Sequence, residues 1–320
     1  MVEYLASNTK YYIYKKGVLK MKLFITGNGF DLSHGYNTRY TDFKKYLEHS
    51  SYDIGSFRLI DFFDDDDDLW SDFENNLEFI DFKESTDFYV GELNPKWSDK
   101  DYNREISRRS ALQDSFEEAP EKLYPALCTA LSDFIVEETD DDKPILNKYQ
   151  NIMSKNDLYI TFNYSKTLEK LYHIPKSNVE HIHGEAFHSI SLDPDEFDYS
   201  YETPSIIFGH SDTKKIKRQA EDSNPINPNG CLNNVNDQMK KVYQIQSLNS
   251  FIQGLSFSSV EIIGHDFGIV DKPYFVELNK YLNRTAIINY WLYNMSLKNI
   301  KYKELQAVFP QNKINIIPNK

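Results

Sequence analysis

The feature that most constrains this fold is a glycine-rich segment near the start of the chain, KLFITGNGFDLSHGYNTR at Lys22–Arg39. Its short apolar run predicts a strand, Gly27-Asn28-Gly29 predicts a tight turn, and the residues that follow predict the start of a helix. Glycines allow close approach of the backbone to a ligand, and the first amides of a helix favour a phosphate. The segment therefore predicts a nucleotide site, although Leu32 breaks the fingerprint G-x-G-x-x-G and a turn without a ligand is the alternative.

Composition narrows the class of protein. The chain has 320 residues and a formal net charge of -13, which argues against coating nucleic acid or an anionic membrane, because such binding needs clustered Lys and Arg. Cys128 and Cys231 are far apart and form no CxxC motif, which is typical of a reducing cytoplasm and excludes a disulfide framework. The sequence contains no run of about 18 apolar residues. We therefore expect a cytoplasmic protein without a membrane span.

The chain is predicted to form one α/β domain from 21 to 320. Residues 1–20 lack the apolar core of a signal peptide, and Met21 directly precedes the first strand, so we expect either an upstream start codon or an extension, without function in both cases. Apolar residues at helical spacing predict a helical insertion at about 70–155. A polar, turn-rich stretch at about 211–238 predicts a surface insertion. The aspartate run Asp64–Asp68 predicts a solvated loop rather than a cation site.

An aromatic stripe inside the predicted helical insertion indicates a buried helix face. Trp70, Phe73 and Leu77 recur at helical spacing, and Glu74 falls on the same side as Trp70. A stripe of this kind is usually core. Glu74 is the one member whose burial would need a partner.

Strands alternating with helices in the second half predict a Rossmann-like, mostly parallel sheet with helices on both faces. The predicted strands lie at 158–163, 179–184, 204–210, 260–264, 285–291 and 314–317. In such sheets the ligand binds at the carboxyl ends of the strands, near the point where the strand order reverses. The polar residues predicted at these ends are Asp31, Asn163, His183, His210, His265 and Asp266.

Six motifs in this order resemble those of the bacteriophage abortive infection AbiH family. They are GNGFDLSHGYNTRYTDF, WSDFENNL, TFNYSKTLEKLY, HIHG, IIFGH and VEIIGHDFGIVDKPYF. The resemblance covers the chain from Met21 to about Tyr290. It implies a role in bacterial defence against phage and does not imply a reaction.

The motif order is also similar, more distantly, to sirtuin-type NAD-binding domains, including NAD-hydrolysing ones. Gly27, Gly29 and Gly35 match the glycines of GxGxSxxxGxPxFR, while Asp31 replaces its serine and Arg39 lies one position short of its arginine. Asn163 matches the TxN asparagine, with Ser165 in place of the following aspartate, and His183 matches the histidine before glycine. The resemblance implies NAD or a related nucleotide as ligand and no metal. The residues assigned to nucleotide binding are Gly27, Asn28, Gly29, Phe30, Arg39, Gly184, Gly209, His210, Gly264, His265 and Asp271.

Three residues are candidates for N-glycosidic hydrolysis, a reaction with an oxocarbenium-like transition state. Asn163 can orient a ribose hydroxyl or the attacking water. His183 can act as general base near neutral pH, and Asp31 can face the sugar as a carboxylate. Arg39 could pair with a phosphate.

Structural roles remain open for each of these residues. Asn163 could cap the following helix, and Asp31 could be a helix N-cap. His183 could be a satisfied histidine beside a glycine, and Arg39 a surface arginine. Deacylation is not expected, because no zinc-ribbon cysteine pairs occur.

Two other functions are compatible with the sequence. His181 and His183 would share one face of a strand and, with His210, His265 and Asp266, could hold metals for phosphoester hydrolysis. Alternatively, the domain could sense a nucleotide without turnover, with the insertions contacting a phage component or a second copy of the chain.

Overall fold

The computed structural model describes residues 21–54, 57–63, 67–77, 122–188, 190–193, 198–201, 204–211 and 239–320. The chain divides into two compact units. The first comprises Met1–Gly35, Asp142–Ile182 and Tyr243–Lys320, and the second comprises Tyr36–Asp141 and His183–Val242. Among the described residues, no helix combines the length and the apolar character that a membrane crossing requires.

The first unit is built on a six-stranded sheet. Its strands are β1 (Lys22–Thr26), β4 (Leu158–Thr161), β5 (Val179–His181), β8 (Ser259–Ile263), β9 (Ile287–Leu292) and β10 (Lys313–Pro318). All five neighbouring pairs are parallel, in the order β10-β9-β8-β1-β4-β5. This confirms the predicted parallel α/β sheet, and the order is that of the doubly wound nucleotide-binding fold, with its reversal between β1 and β8.

The helices of the first unit are short and lie between the strands. They are α1 (Asn28–Ser33), α6 (Asn147–Gln150), α7 (Thr167–Tyr172), α8 (Ile245–Ile252), α9 (Lys272–Asn279) and α10 (Lys298–Val308). One sheet face packs Leu23, Val260 and Ile288, which are in register, against apolar side chains of α8, α9 and α10. The opposite face carries Trp291, whose ring lies 6.3 Å from that of Tyr149 in α6. Helices therefore cover both faces.

The second unit contains helices and two small hairpins. The helices are α2 (Tyr40–His49), α3 (Asp67–Ser71), α4 (Phe73–Asn76) and α5 (122–138). The hairpins pair β2 (Asp53–Ile54) with β3 (Phe57–Arg58) and β6 (Ile190–Asp193) with β7 (Asp198–Tyr201). The helices at 67–76 and 122–138 fall inside the predicted helical insertion, whose residues 78–121 lie outside the described part. The predicted surface insertion lies almost wholly outside it, as do the extension 1–20 and Asp64–Asp66.

One predicted strand is wrong. Residues 204–209 form no strand, and only an isolated bridge joins His210 to Lys240. Ile206 and Phe208 are buried, as expected for an apolar run, but the segment lacks a neighbouring strand, among the described residues, with which to form a ladder. An apolar run predicts burial, and an extended segment without a partner strand can also be buried.

The aromatic stripe forms a core with an ion pair inside it. Trp70, Phe73 and Leu77 are fully buried. Glu74 accepts a hydrogen bond from the hydroxyl of Tyr40 at 2.6 Å and pairs with the ammonium of Lys241 at 2.7 Å. The Lys241 side chain is 0% exposed. The half-buried glutamate therefore has the partner that its position required.

Lys241→Met is expected to destabilise the fold by about 3 kcal/mol, because it leaves the Glu74 carboxylate buried without its cation. Adding Glu74→Gln should recover part of that loss. Chemical denaturation of the single and double variants measures both effects, and Lys240→Met, at the half-buried neighbouring position, is the matched control. A loss in the single variant no larger than in the control would contradict a buried ion pair.

Candidate functional site

The turns after β1 and β8 meet where the strand order reverses. The Gly29 N–H donates to the Gly264 carbonyl oxygen at 2.8 Å, and the Gly27 N–H donates to the Ile263 carbonyl oxygen at 3.1 Å. A Cβ on Gly29 would lie 2.8 Å from the Gly264 Cα, and one on Gly264 would lie 2.2 Å from the Phe30 nitrogen. Both glycines are therefore needed for backbone packing, whatever else they bind.

Two amides at the start of α1 are already occupied by protein acceptors. The Gly29 N–H bonds to Gly264, and the Phe30 N–H donates to the Gly27 carbonyl oxygen at 2.8 Å. Neither is available to a phosphate in this conformation. Asn28 is exposed at the same turn. The nucleotide-binding role predicted for Gly27, Asn28, Gly29 and Phe30 stays a prediction.

A buried carboxylate lies beside this turn. Asp31, in α1, is 2% exposed, and its Oδ2 accepts a hydrogen bond from the Ser165 hydroxyl at 2.6 Å. The Ser165 oxygen is also 3.1 Å from that of Thr167. The N-cap of α1 is Gly27, so Asp31 does not fill the capping role that the sequence suggested for it, and Ser165 does not cap α7, whose N-cap is Lys166. They instead join α1 to the loop before α7.

Burial controls the protonation of Asp31. Desolvation raises the pKa of Asp31 to about 6, and side-chain hydrogen bonds from Ser165, Thr167 and Asn163 oppose that rise. A carboxyl group with such a pKa is largely ionised at neutral pH and exchanges protons readily there. Perturbed carboxylates of this kind are concentrated at functional sites.

Four buried oxygen atoms in this part of the structure lack a hydrogen-bond partner among the described residues. They are Oδ1 of Asp31, Oδ1 of Asn163, Oε2 of Glu169 and the hydroxyl of Thr26. Asn163 is 7% exposed and follows β4, whereas Thr26 ends β1. Buried polar atoms are nearly always hydrogen-bonded, and unsatisfied ones call for an explanation. A ligand that presents hydroxyl groups would supply the missing donors.

His181 lies next to the backbone of Asn163. Its Nε2 is 2.9 Å from Oε1 of Glu169, and its Nδ1 is 3.4 Å from the carbonyl oxygen of Asn163. Strand β5 ends at His181, so strand alternation does not extend to His183. The expectation that both histidines share a strand face therefore fails.

His265 is a structural residue of the β8 turn. The Phe267 N–H donates to its Nδ1 at 3.0 Å, so Nε2 carries the proton and donates to Asp271 at 3.2 Å. Both ring nitrogens are thus used within the turn, and Asp266 is exposed. In the described part of the chain, no group of three or more His, Cys, Asp or Glu side chains could hold a metal ion. The metal-binding role predicted for His181, His183, His210, His265 and Asp266 stays a prediction.

The other predicted site residues belong to the second unit. His183 and His210 are buried there, with the His183 carbonyl oxygen accepting from the Ile207 N–H and the His210 N–H donating to the Met239 carbonyl oxygen. Gly184 and Gly209 adjoin them in the chain. Arg39 is the N-cap residue of α2 and is exposed, 3.8 Å from Asp42. Their binding and catalytic roles stay predictions.

Comparison with known proteins identifies the family. The family model described as Bacteriophage abortive infection AbiH matches residues 23–293, which is most of the chain. The chain belongs to the AbiH family. Its membership supports a role in abortive infection, the bacterial defence against phage that the family is named for. Neither the search of curated proteins nor the search of solved structures found a match.

Sequence reasoning missed four residues that belong to this part of the structure. The sequence gives no role to Thr26, Thr167 or Glu169, and Ser165 enters only as the residue that replaces the aspartate after the TxN motif. All but Thr26 lie in TFNYSKTLEKLY, the motif that begins in β4. The repeated hydroxyl residues in that motif were the available signal.

Gly264→Ala should destabilise this AbiH protein much more than Gly254→Ala. Both glycines have positive φ, +67° and +74°, but no described atom lies within 4 Å of a Cβ on Gly254. Backbone strain alone should cost about 1–3 kcal/mol in each variant, and steric overlap with Gly29 and Phe30 adds to it at Gly264. Equal losses in chemical denaturation would show that the two turns do not need this close packing.

The stability of the parent relative to Asp31→Asn should depend on pH. Because the folded-state pKa is about 6 and the unfolded one about 3.9, the bound proton stabilises the folded protein fully below pH 4. This stabilisation, roughly 3 kcal/mol, should be lost as pH rises through 6.

Denaturation of both proteins between pH 4 and 8 measures this difference. The same comparison at exposed Asp140, changed to asparagine, controls for the general loss of a carboxylate. A parent-to-variant difference that stays constant across the range would contradict a raised pKa at Asp31.

Proposed function

We propose that this AbiH protein binds a ribose-bearing nucleotide, NAD or a relative, at the reversal point of its parallel sheet. The observation that carries the proposal is the set of buried oxygens on Asp31, Asn163 and Thr26 that lack donors among the described residues. Ribose hydroxyls can donate hydrogen bonds to a carboxylate oxygen and to an amide oxygen. Doubly wound sheets bind nucleotides at this place.

We further propose hydrolysis of the N-glycosidic bond of that nucleotide. The water oxygen bonds to C1′ of the ribose while the bond from C1′ to the base nitrogen breaks, and its electron pair leaves with the base. Asp31, as a carboxylate, stabilises the positive charge that grows on the sugar. Asn163 orients the water or a ribose hydroxyl, and the proton of the attacking water passes to solvent. Depletion of NAD would account for abortive infection.

Nucleotide sensing without turnover is the second candidate function. Asp31 is 2% exposed, so a nucleotide reaches its carboxylate only after local movement. Binding that requires movement shifts the population of conformations and can transmit a signal. The need for local movement therefore supports a sensor as much as it supports an enzyme.

Asn163→Ala should abolish phage protection and reduce NAD turnover by at least about tenfold, because one positioned polar group commonly contributes that much or more. Purified protein is assayed for NAD binding and turnover with and without phage lysate, and cells are tested for plaque formation. Asn156→Ala, an exposed asparagine preceding β4, is the matched control. It should behave like the parent in both assays.

The outcomes separate the candidates. Turnover by the parent that is lost in Asn163→Ala supports the hydrolase. Binding without turnover supports the sensor. A folded Asn163→Ala variant with full protection and turnover would remove this residue from the function.

A further inference from the structure

The two segments that meet at the reversal point of the sheet contain no Lys or Arg. These segments, 27–35 after β1 and 264–271 after β8, carry three aspartates, Asp31, Asp266 and Asp271. Their two histidines, His34 and His265, use both ring nitrogens in contacts within the protein. Phosphates are usually held by cationic side chains or by backbone amides at helix ends. The two segments can therefore offer a phosphate backbone amides but no cation.

Many of those backbone amides already have acceptors within the protein. The amides of Gly27, Gly29 and Phe30 donate to backbone carbonyl oxygens. In the second segment the Phe267 amide donates to a histidine ring at 3.0 Å, and the Gly268 amide donates to a side-chain carboxylate at 2.9 Å. A phosphate at either segment would have to displace these acceptors.

Backbone atoms also fill the space beside the glycine turn. In dinucleotide-binding sheets the absence of a side chain lets the pyrophosphate approach such a turn. Here a Cβ on Gly27 would lie 2.8 Å from the carbonyl oxygen of Gly264 and 2.8 Å from the Cα of His265. A Cβ on Gly29 would lie 2.9 Å from the same carbonyl oxygen. The turn after β8 therefore occupies the space that a pyrophosphate would need in this conformation.

The buried groups that lack partners are suited to a sugar and not to a phosphate. Oδ1 of Asp31 and Oδ1 of Asn163 have no donor among the described residues. A carboxylate oxygen and an amide oxygen only accept hydrogen bonds, and the oxygens of an ionised phosphate also only accept. A ribose hydroxyl can donate to both atoms. The hydroxyl of Thr26, which likewise has no described partner, can bond to a ribose hydroxyl in either direction.

We propose that the site recognises the ribose and the base of its ligand, and that phosphate groups add little to the affinity. A nucleoside is then the minimal ligand. NAD would bind through its nicotinamide and the attached ribose, with its phosphates away from the glycine turn. The positive charge of the nicotinamide ring suits two segments that contain aspartates and no Lys or Arg. This inference rests on the proposed function, because it names the part of the ligand that the site contacts.

The test compares the binding of nicotinamide riboside and of NAD to the purified protein by isothermal titration calorimetry. The two dissociation constants should agree within about fivefold, because both ligands carry the groups that the site contacts. A larger advantage for NAD would overturn the proposal. Inorganic pyrophosphate should not compete with either ligand, and competition would also overturn the proposal.

Thr26→Val gives a second readout. Thr26 is 0% exposed and its hydroxyl has no described partner, so the variant should remain folded, which chemical denaturation checks. Loss of a hydroxyl that bonds to the ribose should weaken the riboside and NAD by the same factor, about fivefold. Thr285→Val, at an exposed position before β9, is the matched control and should change neither affinity. Unchanged binding of both ligands to Thr26→Val, or a loss with only one ligand, would overturn the proposal.

The outcomes separate this inference from the proposed function. Binding of neither ligand to the parent contradicts the proposed function, and the inference fails with it. Binding of NAD without binding of the riboside overturns the inference alone, because a nucleotide site that depends on phosphate would remain.

Discussion

The hydrogen bond from the Gly29 N–H to the Gly264 carbonyl oxygen holds together the part of the molecule on which the site depends. It joins the turn after β1 to the turn after β8, at the place where the sheet reverses its strand order. The two backbones approach so closely that side chains are excluded at both positions. This contact fixes the start of α1 and thereby fixes where Asp31 lies. The polar site is a consequence of backbone packing.

Asp31 is held at an energetic cost that the surrounding structure must offset. Its burial disfavours the charged form of the carboxyl group. The charged form is favoured by side-chain hydrogen bonds from Ser165, Thr167 and Asn163, and then by an electrostatic contribution from His181. Stability alone would favour an apolar residue at such a position, because buried charge rarely stabilises a fold. A buried carboxyl group whose pKa lies near neutral pH is typical of binding and catalytic sites. At the same end of the sheet lie buried oxygen atoms without hydrogen-bond donors among the described residues. Membership of the AbiH family supports a role of the protein in phage defence.

The sequence predicted the parallel sheet because strands alternate with helices along its second half. In the structure, β4 and β8 are buried at every residue, as strands covered on both faces must be. The prediction failed at 204–210, where the described chain forms no ladder. A ladder needs a second segment, and no local sequence pattern reports the presence of that segment.

The sequence predicts only part of the candidate site, for the same reason. Asp31 and Asn163 stand beside recognisable turns, so their residue types and positions suggested a role. Asp31 bonds to Ser165, 134 positions away, and thereby joins α1 to the loop before α7, while the contact between Asn163 and His181 joins that loop to β5. Glu169 in particular looks like an ordinary helix glutamate until the fold brings it to His181. Pairing across elements is set by tertiary packing, which spacing along the chain cannot express.

The most direct test of the nucleotide site is the titration of the Asp31 carboxyl group, followed at its carboxyl carbon by ¹³C NMR, without nucleotide and with saturating NAD. Without NAD we expect a midpoint near pH 6, because burial raises the pKa of this carboxyl group. NAD should move this midpoint, because ribose hydroxyls that donate to Oδ1 stabilise the carboxylate, and the shift should be to lower pH. A midpoint near that of an exposed aspartate, unchanged by NAD, would contradict both the raised pKa and the nucleotide site.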